Sequence, residues 1–125
     1  MILDTNAVSA IAKGEATAVR EFASSVQVAL PVVVLGEYRF GILQSRHRSE
    51  YERWLNELLH ACSVLEIQEE TTHWYAELRS QLKRAGTPIP PNDAWIAALA
   101  LQHSLPILSR DRHFDSVPGV QRVTW

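Results

Sequence analysis

Four aspartates are the only ones in this 125-residue chain: Asp4, Asp93, Asp111 and Asp115. Each falls at the end of an expected element or in a loop that follows a strand. The glutamates are scattered along helical stretches, with one exception. Glu37 lies in "VVVLGEYRFGI", where helical spacing surrounds it with Val33, Val34, Phe40 and Gly41. A carboxylate on so apolar a face needs a cation. Each acid also has a plainer role open to it. Asp4 could cap the helix after it, Asp93 could sit in a first helical turn facing the dipole, and Asp111 could stabilise a turn.

If the acids converge, the chemistry narrows. Two carboxylates ~4 Å apart repel by about 1 kcal/mol in water and about 4 kcal/mol at an effective dielectric of 20. A fold that gathers several of them needs something to neutralise them. Oxygen-only donors, with no histidine or cysteine, suit a hard divalent cation, Mg²⁺ or Mn²⁺. Such ions can activate water and stabilise a phosphodiester under attack. The chemistry suggested is hydrolysis of a phosphodiester bond.

The elements must deliver these acids to one place. "MILDTN" is a short buried strand ending at Asp4. Helices are expected over 6–13, stopping at Gly14, and over 16–25. "VQVAL" at 26–30 reads as a strand, and 32–45 as a helix with Pro31 in its first turn. Residues 48–61 place Tyr51, Trp54, Leu55, Leu58 and Leu59 at helical spacing. "SVLEI" at 63–67 reads as a strand, 70–85 as a helix ending at Gly86, and "TPIPP" as a rigid loop. Asn92 is the expected N-cap of a helix over 92–103, with Asp93 its first residue. A strand at 106–109, a loop at 110–119 and a last strand at 120–124 complete the chain. Strands alternating with helices imply parallel pairing. The expected fold class is α/β, a three-layer α/β/α sandwich around a short, mostly parallel twisted sheet, as a single domain over 1–125. Open sheets of this kind bind ligands at the carboxyl ends of their strands, which is where Asp4 and Ser109-Arg110-Asp111 fall.

Composition excludes several classes. Hydrophobic residues make up 46% and charged residues 21% of the chain, an ordinary globular balance. No apolar run is long enough for a membrane span and no basic leader precedes one. The one cysteine, Cys62, rules out an internal disulfide, in keeping with a cytoplasmic protein. Paired cysteines and HExxH are absent. Net charge is −2, yet arginine clusters at Arg46/Arg48/Arg53, at Arg79 and Arg84 with Lys83, and at Arg110/Arg112. Arginine suits bidentate phosphate contacts, although solvated helix faces explain such clusters equally well.

Four stretches, in order, resemble one family. "MILDTN", "PVVVLGEYRFGI", "PNDAWIAALAL" and "ILSRDRHFDSVPGVQRV" are similar to the motifs of PIN-domain ribonucleases, most closely the VapC-type toxins of toxin–antitoxin modules. The final "RVTW" fits the same pattern. The resemblance implies an endoribonuclease dependent on Mg²⁺ or Mn²⁺, with Asp4, Glu37, Asp93 and Asp111 as catalytic and metal-holding residues. Asn6 and Ser109 would position the carboxylates, and Asp115 could share the role of Asp111. It also implies a cytoplasmic bacterial or archaeal toxin that inhibits translation, pairs as a homodimer and is held by a VapB-like antitoxin. The helices at 32–45 and 48–61 could supply an interface, with Gly36 and Gly41 permitting close approach. Arg39, Arg110 and Arg112 are the candidates for RNA phosphate. Trp74 and Trp95 could stack a base, though a core role is the plainer one. His113 could serve as a general base, but metal-bound water needs none, and a loop histidine without a special role is the plainer reading.

Other enzyme classes fit less well. A haloacid-dehalogenase-like phosphatase wants DxD after the first strand, and here Asn6 takes the second place. A response receiver wants paired early acids and a late lysine, and Lys83 is the last lysine. A dinucleotide fold wants GxGxxG after Leu3. A non-catalytic or housekeeping PIN-like module binding RNA or metal remains the alternative.

Overall fold

The computed structural model describes residues 1–125. Strand β1 (Ile2–Leu3) leads into helices α1 (Thr5–Ala12) and α2 (Ala16–Ser24). Strand β2 (Ala29–Pro31) follows, then α3 (Val32–Leu43) and α4 (Arg48–Ala61). Strand β3 (Ser63–Leu65), α5 (Glu69–Ala85), α6 (Pro91–His103) and β4 (Ile107–Leu108) come next. A 3-10 turn, Arg112–Ser116, and β5 (Arg122–Val123) end the chain. The strands form one five-stranded sheet in the order β3-β2-β1-β4-β5. Every neighbouring pair is parallel. With helices packed over the sheet, this is the expected three-layer α/β/α arrangement.

The sheet is short because it is buried. Ile2, Leu3, Leu30, Ile107 and Leu108 have no exposed surface, as continuous apolar runs in covered parallel strands should. Helix α6 buries Ala94, Ile96, Ala97, Ala98, Leu99 and Ala100, so it packs on more than one side. Helix α5 opens on a capping box between Gln68 and Thr71 and ends at Gly86, whose φ of 73° is the left-handed C-cap.

The expected strands are longer than the observed ones. The second, expected over 26–30, runs Ala29–Pro31. Val26 stands fully in solvent, and pairing with β1 starts only at Ala29, opposite Ile2. Pro31 is therefore the last strand residue and the cap of α3, not part of its first turn. The stretch 110–119, expected as a plain loop, contains the 3-10 turn, with Phe114 fully buried beneath it. Helix α6 starts one residue early, at Pro91 with Pro90 as its cap, which makes Asp93 its third residue. Proline at the first position needs no backbone donor there, so Asn92 is released from capping. No helix is long and apolar enough to cross a membrane.

Candidate active site

The register of the sheet builds the centre of the site. Leu3 of β1 pairs with Leu108 of β4, so the next residues, Asp4 and Ser109, leave the sheet side by side. Ser109 is wholly buried, and its Oγ donates to Asp4 Oδ2 at 2.6 Å. The same Oγ accepts from the backbone N–H of Asp111 at 2.9 Å. Asn6 Nδ2 donates to Asp4 Oδ2 at 3.1 Å and to Ser109 Oγ at 3.2 Å. Its Oδ1 accepts from the backbone N–H of Arg110. One network thus ties Asp4, Asn6, Ser109 and the backbone of Asp111 together. Asp4 also caps α1 by accepting from Thr5 N–H at 2.7 Å, so the plainer capping role is present beside the clustering.

Glu37 reaches the same edge from α3. Thr5 Oγ1 donates to its Oε2 at 2.5 Å, and Asn92 Nδ2 donates to its Oε1. Its two partners are the sequence neighbours of Asp4 and Asp93. Sequence reasoning expected a cation for Glu37. The structure gives it two neutral donors and a half-buried position, and Phe40, one turn on, points to solvent.

Asp93 and Asp111 meet across a residue to which the sequence reading gave no role. His113 Nδ1 lies 2.9 Å from Asp93 Oδ2 and 3.1 Å from Asp111 Oδ1. Ligand atoms of Asp93, Asp111 and His113 all fall within 4.8 Å of one another. The available signal was the two-residue spacing of Asp111 and His113. Nothing in the sequence placed Asp93, twenty positions earlier, on the other side of the ring.

The electrostatics record the crowding. Burial pushes the Asp4 carboxyl above its ordinary value, the Ser109 and Thr5 hydrogen bonds pull it back, and the charges of Asp93 and Asp111 push it up again. Burial is also the main cause of the upward shift of Asp93, with Asp111 and Glu37 adding to it and His113 opposing. The Asp93 hydrogen bond raises His113, helped by the charge of Asp111. Like charges that make one another harder to ionise mark a place where a cation would be stabilising. Asp93, Asp111 and His113 form a mostly oxygen donor set that fits a hard divalent ion, while Asp4 is tied to it through Ser109 and Glu37 through Asn92.

Asp115 is not brought into this cluster. It is exposed and forked onto Arg122, with contacts of 2.7 and 2.9 Å. That arginine also donates to the Ser109 carbonyl at 3.1 Å, so Asp115 braces the end of β4 from outside. Arg110 pairs with Glu15 at 2.9 Å and lies over the Trp125 ring at 4.4 Å, away from a free phosphate-binding pose. Arg39 and Arg112 are exposed. Trp95 stacks on Tyr75, with ring centroids 3.7 Å apart, so that face is taken by the protein. A groove of about 280 Å³ leads away from Glu37 between α1, α3 and α4, with Thr5, Ser9, Lys13, Tyr38 and Tyr51 among its walls.

Comparison with known proteins identifies the family. The PIN domain matches residues 1–120. Ribonuclease VapC4 of Mycobacterium tuberculosis is 37% identical over 95 residues, 74% of this chain and 73% of that relative. The crystal structure of FitAcB from Neisseria gonorrhoeae is similar at a TM-score of 0.86 and 28% identity, covering 97% of this chain and 94% of that one. A toxin–antitoxin complex from Klebsiella pneumoniae shares the fold at a TM-score of 0.77 and 24% identity, with 95% and 93% covered. The four motifs, the sheet edge on which they meet and these matches agree: the chain belongs to the PIN-domain family, as a VapC-type toxin.

Proposed function

We propose that this protein is an endoribonuclease that depends on Mg²⁺ or Mn²⁺ and acts as the toxin of a toxin–antitoxin pair, inhibiting translation. The observation that carries this reading is the convergence of Asp93 from α6 and Asp111 from the end of β4, with Asp4 tied to the Asp111 backbone through the Ser109 hydroxyl. Relatives named ribonucleases support it. Asp4, Asp93, Asp111 and Glu37 would hold the ion, which would supply Lewis acidity and charge neutralisation at the phosphate.

The chain's own groups set the rest. Ser109 and Asn6 fix the Asp4 carboxylate so that no rotamer search precedes reaction. Thr5 and Asn92 do the same for Glu37. The groove beside Glu37 offers the RNA strand a path, with Lys13 as its cation. Arg39 and Arg112 remain available to flanking phosphates, whereas Arg110 must first leave Glu15 and Trp125.

The partner would be a VapB-like antitoxin, since relatives of this fold are known in toxin–antitoxin complexes. A second copy of this chain is the other proposed partner. The module would work in the cytoplasm of a bacterium or archaeon, as one domain spanning 1–125.

Controlled expression of wild type beside Asp4→Asn, with sequencing of new RNA 5′ ends, tests the function. Growth arrest with discrete new ends only in the wild type is the expected result. Equal growth and no new ends at matched soluble levels would leave a non-catalytic module in its place.

A further inference from the structure

We propose that His113 is a nitrogen ligand of the cation held by Asp93 and Asp111, and that it tilts the site toward Mn²⁺ over Mg²⁺. The inference rests on the reading of the acidic cluster as a metal centre.

The imidazole is held in place by its own segment. The backbone N–H of His113 donates to Asp111 Oδ1 at 2.9 Å, which caps the 3-10 turn. The next residue, Phe114, is fully buried and pins that turn to the core. The ring therefore faces the acids from a fixed backbone and not from a loose loop. Its Nδ1 lies about equally far from one oxygen of each carboxylate, at 2.9 and 3.1 Å. The three ligand atoms come from α6, the segment after β4 and the 3-10 turn, and no two lie more than 4.8 Å apart.

Competing roles for this ring are weaker. Arg110 and Arg122 are engaged elsewhere, with Glu15 and Asp115, and the exposed Arg112 makes no ion pair with either acid. A ring serving only as their substitute would need one carboxylate partner, and this one is shared between two. Half of the side chain is exposed, so the second ring nitrogen can keep its proton while Nδ1 binds metal. Magnesium prefers oxygen and keeps its waters, whereas manganese and the later first-row ions accept imidazole more readily. A carboxylate pair with one imidazole is therefore a donor set that distinguishes the two ions.

The test uses purified full-length wild type, His113→Ala and His113→Gln, each confirmed folded by circular dichroism. Mn²⁺ binding is measured by the loss of its free-ion electron paramagnetic resonance signal, and Mg²⁺ by competition. The expected result is tighter binding of Mn²⁺ than of Mg²⁺ by wild type. Both variants should lose about tenfold or more in Mn²⁺ affinity, since losing even a group that only orients a ligand costs about 10- to 100-fold, and change little toward Mg²⁺. Wild type loaded with Co²⁺ should also show a hyperfine-shifted exchangeable imidazole proton in its NMR spectrum, absent from both variants. Variants that bind Mn²⁺ as tightly as wild type would overturn the role of His113 and leave the acidic metal centre standing. No binding of either ion to wild type would overturn the metal-centre reading, and this inference with it.

Discussion

Asp4 and Asp93 carry opposed demands. Asp4 is buried and Asp93 half-buried beside other acids, and desolvation is the leading cause of their raised pKa values. A carboxyl raised in the folded state binds its proton more tightly there than in the unfolded chain. Its contribution to stability therefore falls as pH climbs from 3.8, its ordinary value, through the raised one. His113, raised by its Asp93 contact, adds stability that is complete below 6.5 and is lost as pH rises through its folded value. Asp115, lowered by Arg122, acts the other way, and its contribution disappears only in acid. Between pH 6 and pH 8 the His113 effect lowers stability as pH rises, and its leading cause is the contact with Asp93. The metal-free protein should be less stable to urea at pH 8 than at pH 6 in EDTA, and Asp93→Asn should flatten that slope. Equal or greater wild-type stability at pH 8 would refute the assignment. At pH 8, Asp93→Asn should match wild type or gain up to about 1 kcal/mol, the repulsion of one carboxylate pair. The acids were legible in the sequence because aspartates are scarce and follow strands. The histidine was not, because its partner comes from another helix and only the folded chain brings them together.

Elements were legible where punctuation was strong and obscure where it was tertiary. Gly14 and Gly86 end their helices at left-handed φ, as expected from glycine after an apolar periodic run. Strand lengths were not legible, because parallel pairing with β1, and not local propensity, decides where β2 starts. Helix α6 shows a third case: it ends at Ser104 with φ 53°, a left-handed conformation that glycine adopts more freely. Ser104→Gly should therefore stabilise the protein by about 1 kcal/mol, read as a higher urea midpoint with unchanged slope. A lower midpoint would mean that the serine side chain supports the turn. The segment after β4 is held from outside by Glu15, Arg110 and Trp125, with the Trp125 indole N–H donating to Glu15 at 3.1 Å. Trp125→Ala should speed amide hydrogen exchange at 110–112 while the β1 amides keep their protection. Unchanged exchange there would make the stack incidental.

At the scale of the molecule, α3 is the unfinished part. It is apolar nearly all round, yet only Val34, Tyr38 and Ile42 are buried, while Phe40 and Leu43 stand 67% and 54% exposed. A helix apolar on every face ordinarily packs on every face. We predict that a second copy of the chain covers this face of α3. Phe40→Glu should then convert a dimer to a monomer by light scattering while leaving the circular dichroism spectrum intact. A wild-type monomer at tens of micromolar would remove that interface. The fold class itself was the most legible feature, since alternating short apolar runs and helical stretches leave few arrangements other than a covered parallel sheet.

The most direct measurement is cleavage of RNA by the purified protein, wild type beside Asp93→Asn, with Mn²⁺ or Mg²⁺ and with EDTA. We predict discrete cleavage by wild type that stops in EDTA, returns on adding the ion, and is absent from a folded Asp93→Asn at every metal concentration. Cleavage that survives EDTA, or that Asp93→Asn retains in full, would contradict a metal-dependent nuclease built on these carboxylates.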